Sequence, residues 1–394
     1  MLRIIESNSA AQAKAYFSTA DYYSEGQELV GQWRGEGAAR LGLSGAVDAA
    51  RWDSLCDNRD PNGEGPLTPR LKEPRRVGYD FNFHVPKSVS LLYALTEDER
   101  LLDAFRDAVG ETMQDMETEM QTRVRTSGRN EDRTTGNMVW GEFVHFTTRP
   151  VDGLPDPHLH AHCYVFNTTF DAEEDRWKAG QFGDLKRDAP YFEAKFHSRL
   201  GRNLAELGVG VERTKTGWEI AGLGGATLDK FSRRTKEIEA LAEREGVIDA
   251  AAKSALGAKT RKRKEKDVPL PELRREWFSR LSQDERDDLA RVASRVGGER
   301  IAEDVGFAKE AVAQATEHCF ERKSVLPERT LLAESLKRSV GRSSVTSVEK
   351  SFAKEDLLTR ERGGRRMTTT RDVLAEEQKM IAFARDGRGT RPRL

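Results

Sequence analysis

The chain is 394 residues long, carries 65 Lys and Arg against 66 Asp and Glu, and has a net charge of −1. Hydrophobic residues make up 37% and charged residues 33%, the balance of a globular chain with a highly charged surface and room for two or three domains. No apolar run approaches the ~18 residues of a membrane helix, MLRIIESNSAAQAKAYF has no signal-peptide core, and three scattered cysteines (Cys56, Cys163, Cys319) exclude a disulfide framework or a Cys-based zinc site. A reducing, cytoplasmic setting is expected.

In chain order, a helix around AAQAKAYF is followed by a polar break, and then by Gly-rich turns alternating with short helical pieces up to about residue 56. Residues 57–75 hold four prolines and no periodicity, which predicts a loop. VGYDFNFHV alternates like a half-buried strand, and PKSVSLLYAL leads into a long amphipathic helix over about 89–124. GNMVWGEFVHFTTR predicts a second strand and HLHAHCYVFNTTF a third, with RWKAGQF returning as its hairpin partner. A helix over about 186–206 precedes a hairpin turning near Thr216 and Gly217. Beyond about residue 228 the strand signals stop and the chain reads as charged helices. Strands joined by hairpins favour an antiparallel α+β sheet, and no Gly-x-x-x-x-Gly-Lys-Ser/Thr stretch offers a nucleotide site.

Four of the seven histidines lie within 18 positions: His145, His158, His160 and His162. The last three alternate along a predicted strand, so their side chains share one face. Packing does not favour three imidazoles side by side, because each needs a polar partner when buried. Metal ligation does, since neutral imidazole is a common donor to divalent ions. His145 on the neighbouring strand adds a further ligand. Both His158-Leu159-His160 and His160-Ala161-His162 place an apolar residue between two histidines, and the residues leave the choice open. Asp80 stands mid-strand between Tyr79 and Phe81, where a carboxylate is costly to bury unless it orients something, such as the second N–H of a metal-bound histidine. His84, His197 and His318 read as ordinary surface or packing histidines.

Three tyrosines fall within eight residues, Tyr16, Tyr22 and Tyr23. A phenol with a pKa near 10 is a poor nucleophile until something activates it, and a divalent ion beside a phosphodiester does so by withdrawing charge from the phosphoryl group. Tyrosines plus a histidine metal site point to transesterification at a DNA phosphate.

The run AYFSTADYYSEGQELVGQWRGEGAARLGL, with GYDFNFHVPKSVSLL, TTGNMVWGEFVHFTTR and DPHLHAH, resembles the relaxase domain of conjugative relaxases of the TrwC/TraI type, the MobF group of His-hydrophobe-His endonucleases. The likeness covers roughly residues 1–300. It implies a five-stranded antiparallel palm flanked by helices, a mobile helical region closing over single-stranded DNA, and a helical C-terminal region. Domains are expected at 1–245, 246–320 and 321–394. The resemblance makes Tyr16 the nicking tyrosine and matches Tyr22 and Tyr23 to the pair serving a later strand transfer. It makes Asp80 the acid that polarises a ligand histidine, and His145, His160 and His162 the ligands. His158 falls where relatives often have glutamine, which implies a supporting place or an alternative ligand. Phe17 stands where relatives carry a second tyrosine of the first pair. TTTRDVLAEEQKMIAFARDGRG resembles the lead-in to the helicase that relatives carry.

The implied function is a metal-dependent, site- and strand-specific DNA nickase and strand transferase that forms a 5′-phosphotyrosyl intermediate during conjugative transfer. Its expected partners are single-stranded or hairpin DNA at a transfer origin and other relaxosome or coupling proteins. A rolling-circle replication initiator or single-strand transposase shares the same chemistry. Three imidazoles suit zinc, nickel or manganese, and phosphate chemistry draws on magnesium or manganese, which leaves the ion's identity open. The run KTRKRKEK, with Arg261, Lys262, Arg263 and Lys264, and the pair Arg233 and Arg234 are expected along the DNA backbone.

Overall fold

The computed structural model describes residues 1–14, 29–63, 65–69, 75–249, 252–253, 256–257 and 268–388. Its centre is an antiparallel sheet of five strands, β1 (Leu2–Ser7), β2 (Gln32–Arg34), β3 (Gly78–His84), β4 (Trp140–Thr147) and β5 (Pro157–Phe166), in the order β1-β3-β5-β4-β2. This is the expected α+β palm. Alternation along the strands gives the sheet two unlike faces. Tyr79, Phe81, Phe83, Leu159, Ala161, Cys163 and Val165 point to one face. Helices α1 (Lys87–Thr96), α2 (Glu99–Thr118) and α3 (Ala189–Glu206) cover it and complete the main core with Leu91, Phe105, Met113, Phe192 and Phe196.

The opposite face is divided. One half is an aromatic cluster of Trp33, Trp52, Phe143, Tyr164 and Phe166, with Cys56 among them. Trp52 is fully buried, with ring centroids 4.9 Å from Phe166 and 5.5 Å from Phe143. The other half of this face carries histidines.

Several elements differ from the sequence expectation. A strand precedes the expected helix: β1 pairs Leu2 with Phe83 and Ile4 with Phe81, both facing the core while Ile5 is exposed, and residues 10–14 are helical. The long helix after β3 is two helices, broken where Glu97 takes a left-handed φ of 54° and Asp98 caps α2 by accepting from the Arg100 N–H at 3.1 Å. Between α2 and β4 stands a hairpin, Gln121–Thr126 and Arg129–Thr134, turning on Ser127 and Gly128 at positive φ, the conformation that suits a two-residue hairpin, and Gly180–Gln181 joins it as a third strand.

Beyond residue 228 the chain is not helices alone. Strands Leu326–Pro327, Leu357–Arg362 and Arg365–Thr370 form a small sheet. Around it helices Val305–Phe320, Glu328–Ser339 and Val345–Phe352 build a third core of Ala308, Val312, Leu331, Leu336, Val348 and Phe352, with Cys319 packed at its margin. This C-terminal unit docks on α3. Ala194 enters the third core, and a Cβ on Gly201 would meet the Gly341 backbone nitrogen at 2.9 Å. Arg202 donates to the Gly341 and Ile301 carbonyls at 3.1 and 3.2 Å. Arg329 bridges Glu119 at 2.7 Å and Asp188 at 3.0 Å.

Candidate metal centre and nucleophile segment

Strand register assembles the histidines. His145 on β4 stands directly opposite His160 on β5, and a bulge follows His145 in its strand. Asn82 of β3 lies opposite His162 and Asp80 opposite Tyr164, so Asp80 is the diagonal neighbour of His162, within reach of a carboxylate. One ring nitrogen from each of His145, His160 and His162 lies within 4.8 Å of the others, and the first two residues are buried.

Two of the three rings are held from behind. His162 Nδ1 meets Asp80 Oδ2 at 2.9 Å and Oδ1 at 3.1 Å. His160 Nδ1 lies 2.8 Å from the His158 carbonyl. A ring whose Nδ1–H is donated to an oxygen presents its Nε2 lone pair on the other side, the tautomer a metal needs. A nitrogen-only set of three, with two rings fixed in this way, fits a divalent ion.

His158 is outside this set. Its carbonyl holds His160, and its ring nitrogen lies 2.9 Å from His84 Nδ1. His84 stacks on His160 with centroids 5.4 Å apart. It is therefore part of the histidine layer, not the isolated residue that the sequence implies. Burial holds both His84 and His158 well below the usual imidazole range, which keeps them neutral. Lys87, at the start of α1, donates to the Pro157 carbonyl at 2.8 Å, and burial pushes its ammonium down to about 8. No local pattern marks His84 or Lys87; only the pairing of β3 with β5 brings them here. His197 accepts from Trp218 Nε1 at 3.3 Å, and His318 lies exposed, 3.8 Å from Glu321.

Tyr16, Tyr22 and Tyr23 lie outside the described residues, as do Arg261, Lys262, Arg263 and Lys264. The described residues on either side of the tyrosines are fixed to the sheet, Ala13 on its histidine-bearing side and Leu29 beside strand β4. Ala13 is buried in the aromatic cluster, its carbonyl accepts from Trp52 Nε1 at 3.0 Å, and Lys14 pairs with Asp57 at 2.6 Å. After the tyrosines, the Leu29 N–H donates to the Val144 carbonyl at 3.0 Å, next to His145.

Arg233 and Arg234 are engaged within the protein. Arg233 Nε donates to Asp156 at 2.9 Å and its Nη2 to the Leu154 carbonyl at 2.8 Å; Arg280 shares Asp156 at 2.7 Å. Arg234 pairs with Glu237 at 2.6 Å and donates to the Gly257 carbonyl at 2.9 Å. Asp156 is buried immediately before β5, so this cluster braces the strand that carries the histidines.

Residues 10–283 match the model of the TrwC relaxase family. The multifunctional conjugation protein TraI of Escherichia coli is 30% identical over 416 aligned positions, which take in 98% of this chain and 23% of TraI. The chain thus spans about a quarter of the length of that relative. Among solved structures, the metal-bound conjugative relaxase TrwC in complex with oriT DNA is similar with a TM-score of 0.63 and 28% identity, over 71% of this chain and 96% of that one. TrwC complexed with a 27-mer DNA comprising the recognition hairpin and the cleavage site matches with a TM-score of 0.62 and 27% identity, over 74% of this chain and 99% of that one.

Proposed function

The chain belongs to the TrwC relaxase family, and we propose that it is a conjugative relaxase that nicks and rejoins one strand of DNA at a transfer origin. The observation that carries the reading is the trio His145, His160 and His162 on one sheet face, with Asp80 at 2.9 Å behind His162. The described residues flanking the tyrosines meet the same sheet, Ala13 on the histidine-bearing side and Leu29 through the Val144 carbonyl next to His145.

In this reading the Tyr16 hydroxyl gives up its proton to water and its oxygen attacks the scissile phosphorus. The phosphorus–oxygen bond to the 3′ carbon's oxygen breaks, and that oxygen leaves as a free 3′-hydroxyl after taking up a proton. The 5′-phosphate remains on Tyr16 as a phosphodiester, so a later 3′-hydroxyl can reverse the step. Tyr22 and Tyr23 are assigned to the second transfer. A divalent ion held by His145, His160 and His162 supplies positive charge at the phosphate when bound. Asp80 keeps the His162 ring in one tautomer and orientation, and the His158 carbonyl does the same for His160. The arginines and lysines at 261–264, with Arg233 and Arg234, are assigned to the strand's phosphates; there a phosphate competes with Asp156 and Glu237 for Arg233 and Arg234. Other relaxosome and coupling proteins are its expected partners.

Covalent capture tests this. The protein and a Tyr16→Phe variant are incubated with manganese and labelled single-stranded oligonucleotides tiling a transfer origin, and the products are run on a denaturing gel. The expected result is a protein–DNA band that requires both the ion and Tyr16. A band that persists in the variant moves the nucleophile elsewhere, and cleavage with no adduct replaces the tyrosine chemistry with that of an activated water.

A further inference from the structure

The C-terminal unit lies beyond the residues that match the relaxase family model, and its topology has a meaning of its own. Its order is helix Val305–Phe320, strand Leu326–Pro327, helix Glu328–Ser339, helix Val345–Phe352, then the ribbon Leu357–Arg362 and Arg365–Thr370. The last two helices are joined by a short turn with Gly341 at φ 76°, and Ser344 caps the second by accepting from the Ser347 N–H at 3.1 Å. Two helices on a tight glycine turn form a helix-turn-helix, and the ribbon that follows stands where a wing would be.

Helix-turn-helix modules place their second helix in a DNA groove. Here that helix is tied to the palm on one side, where Glu349 accepts from Lys195 at 3.1 Å and from the Tyr191 hydroxyl at 3.4 Å, while Thr346 and Lys350 stay exposed. The turn of the wing, Gly363 and Gly364, has positive φ at both residues, and a Cβ built on either would meet nothing within 4 Å. Arg360 and Arg362 sit two apart on one face of the ribbon, and Arg365 faces Arg362 directly across it. Like charges in that position repel unless an anion lies between them. Arg366 is engaged by Glu328 at 2.6 Å, and Arg365 lies 3.7 Å from Asp188. Arg360 and Arg362 are exposed and enter no ion pair among the described residues.

Charge is also unevenly distributed along the chain. Residues 305–370 hold 13 Lys and Arg against 9 Asp and Glu, while the whole chain has a net charge of −1. A local surplus of this kind favours a polyanion.

We propose that the unit from Val305 to Thr370 is a winged helix-turn-helix module that grips double-stranded DNA by its phosphates, with Arg360 and Arg362 of the wing making the contacts. A two-stranded ribbon matches the width of the major groove and the backbones that flank it. With Glu349 of the second helix tied to α3, the grip is that of the wing on phosphates, and it holds whatever duplex lies beside the strand being cut. The inference rests on the relaxase reading only for the identity of the DNA that is presented.

The test measures binding of the full chain to a labelled 30-base-pair duplex and to a single strand of equal length by fluorescence anisotropy, across a salt series. Arg360→Ala combined with Arg362→Ala should lower duplex affinity and reduce the slope of log affinity against log salt by about two, one for each phosphate deprived of its arginine. Binding to the single strand should be unchanged. Both side chains are exposed, so the fold is expected to be preserved, and the double Lys variant should restore the slope. An unchanged duplex slope, or a weakening confined to the single strand, overturns the proposal. Tyrosine adduct formation on a short single-stranded oligonucleotide, scored on the same variants, separates the two readings. A normal adduct with an unaltered duplex slope removes the wing alone, whereas a wing-dependent slope in a protein that forms no adduct removes the relaxase reading alone.

Discussion

Asp80 sets the scale at which a single carboxylate can be tested. It touches His162 with both oxygens, and partners of that kind typically account for a 10- to 100-fold difference in metal affinity. Asp80→Ala is therefore expected to weaken manganese binding by about that factor in titration calorimetry. His162→Ala should abolish binding altogether. Equal affinities in Asp80→Ala and wild type would remove the carboxylate from the site. At this scale the sequence is informative where residues alternate locally: His158, His160 and His162 announce themselves on one strand, and an acid between two aromatics at Asp80 is conspicuous. His84 is silent, because it stands 74 residues from its partner His158 and nothing in a lone histidine says which strand will pair with which.

Among the elements, helix Gln283–Ala293 offers a clear test of local chemistry. Ser282 and Glu285 form a reciprocal capping box, and Lys230 lies 2.5 Å from Glu285. The bond from Lys230, with the backbone N–H of Ser282, holds the Glu285 carboxyl down to about 2 against an ordinary value of 4.5. A carboxyl depressed in the folded state stabilises the protein fully above pH 4.5 and loses that contribution as pH falls toward 2. Glu285→Gln should flatten this part of the acid limb in thermal melts, and Ser282→Ala should cost about 1 kcal/mol at neutral pH. Palm strands β3, β4 and β5 and the hairpin near Thr216 are legible because apolar residues alternate in them, whereas β2 is hidden among Gly-rich turns. The ribbon Leu357–Thr370 is not legible either. LLTRERGGRRMTTT has few apolar residues, because a sheet of three short strands leaves most of this ribbon exposed, and Thr368 is its only fully buried residue. Its Gly-Gly dipeptide is the available hairpin signal. Strand β1 is hidden for a different reason: only Leu2 and Ile4 of its residues face the core, and the alanine-rich stretch that follows dominates the local pattern.

Across the whole molecule, the C-terminal unit is held to the palm by a seam in which charge matters as much as apolar packing. Arg329 joins Glu119 and the buried Asp188, and its guanidinium also lies 5.1 Å above the Tyr191 ring. Arg329→Ala leaves Asp188 without one of its cations and is expected to cost on the order of 2 kcal/mol. The expected readout is limited proteolysis near residue 305 at protease levels that spare the wild type. The three free thiols extend this to the folding of the entire chain. Cys163 lies in the main core, Cys56 in the aromatic cluster and Cys319 against the third core. Burial raises all three thiols, Cys56 to about 12 and Cys163 well above its ordinary value. Since only a thiolate reacts, alkylation of a buried thiol waits for its surroundings to open. The protein thus contains one native clock in each core. Mass-spectrometric labelling with iodoacetamide should show Cys319 reacting first, and Cys56 and Cys163 later at one shared rate, because both lean on opposite faces of the same sheet. Separate rates for that pair would mean that the histidine-bearing face opens while the helix-covered face stays shut.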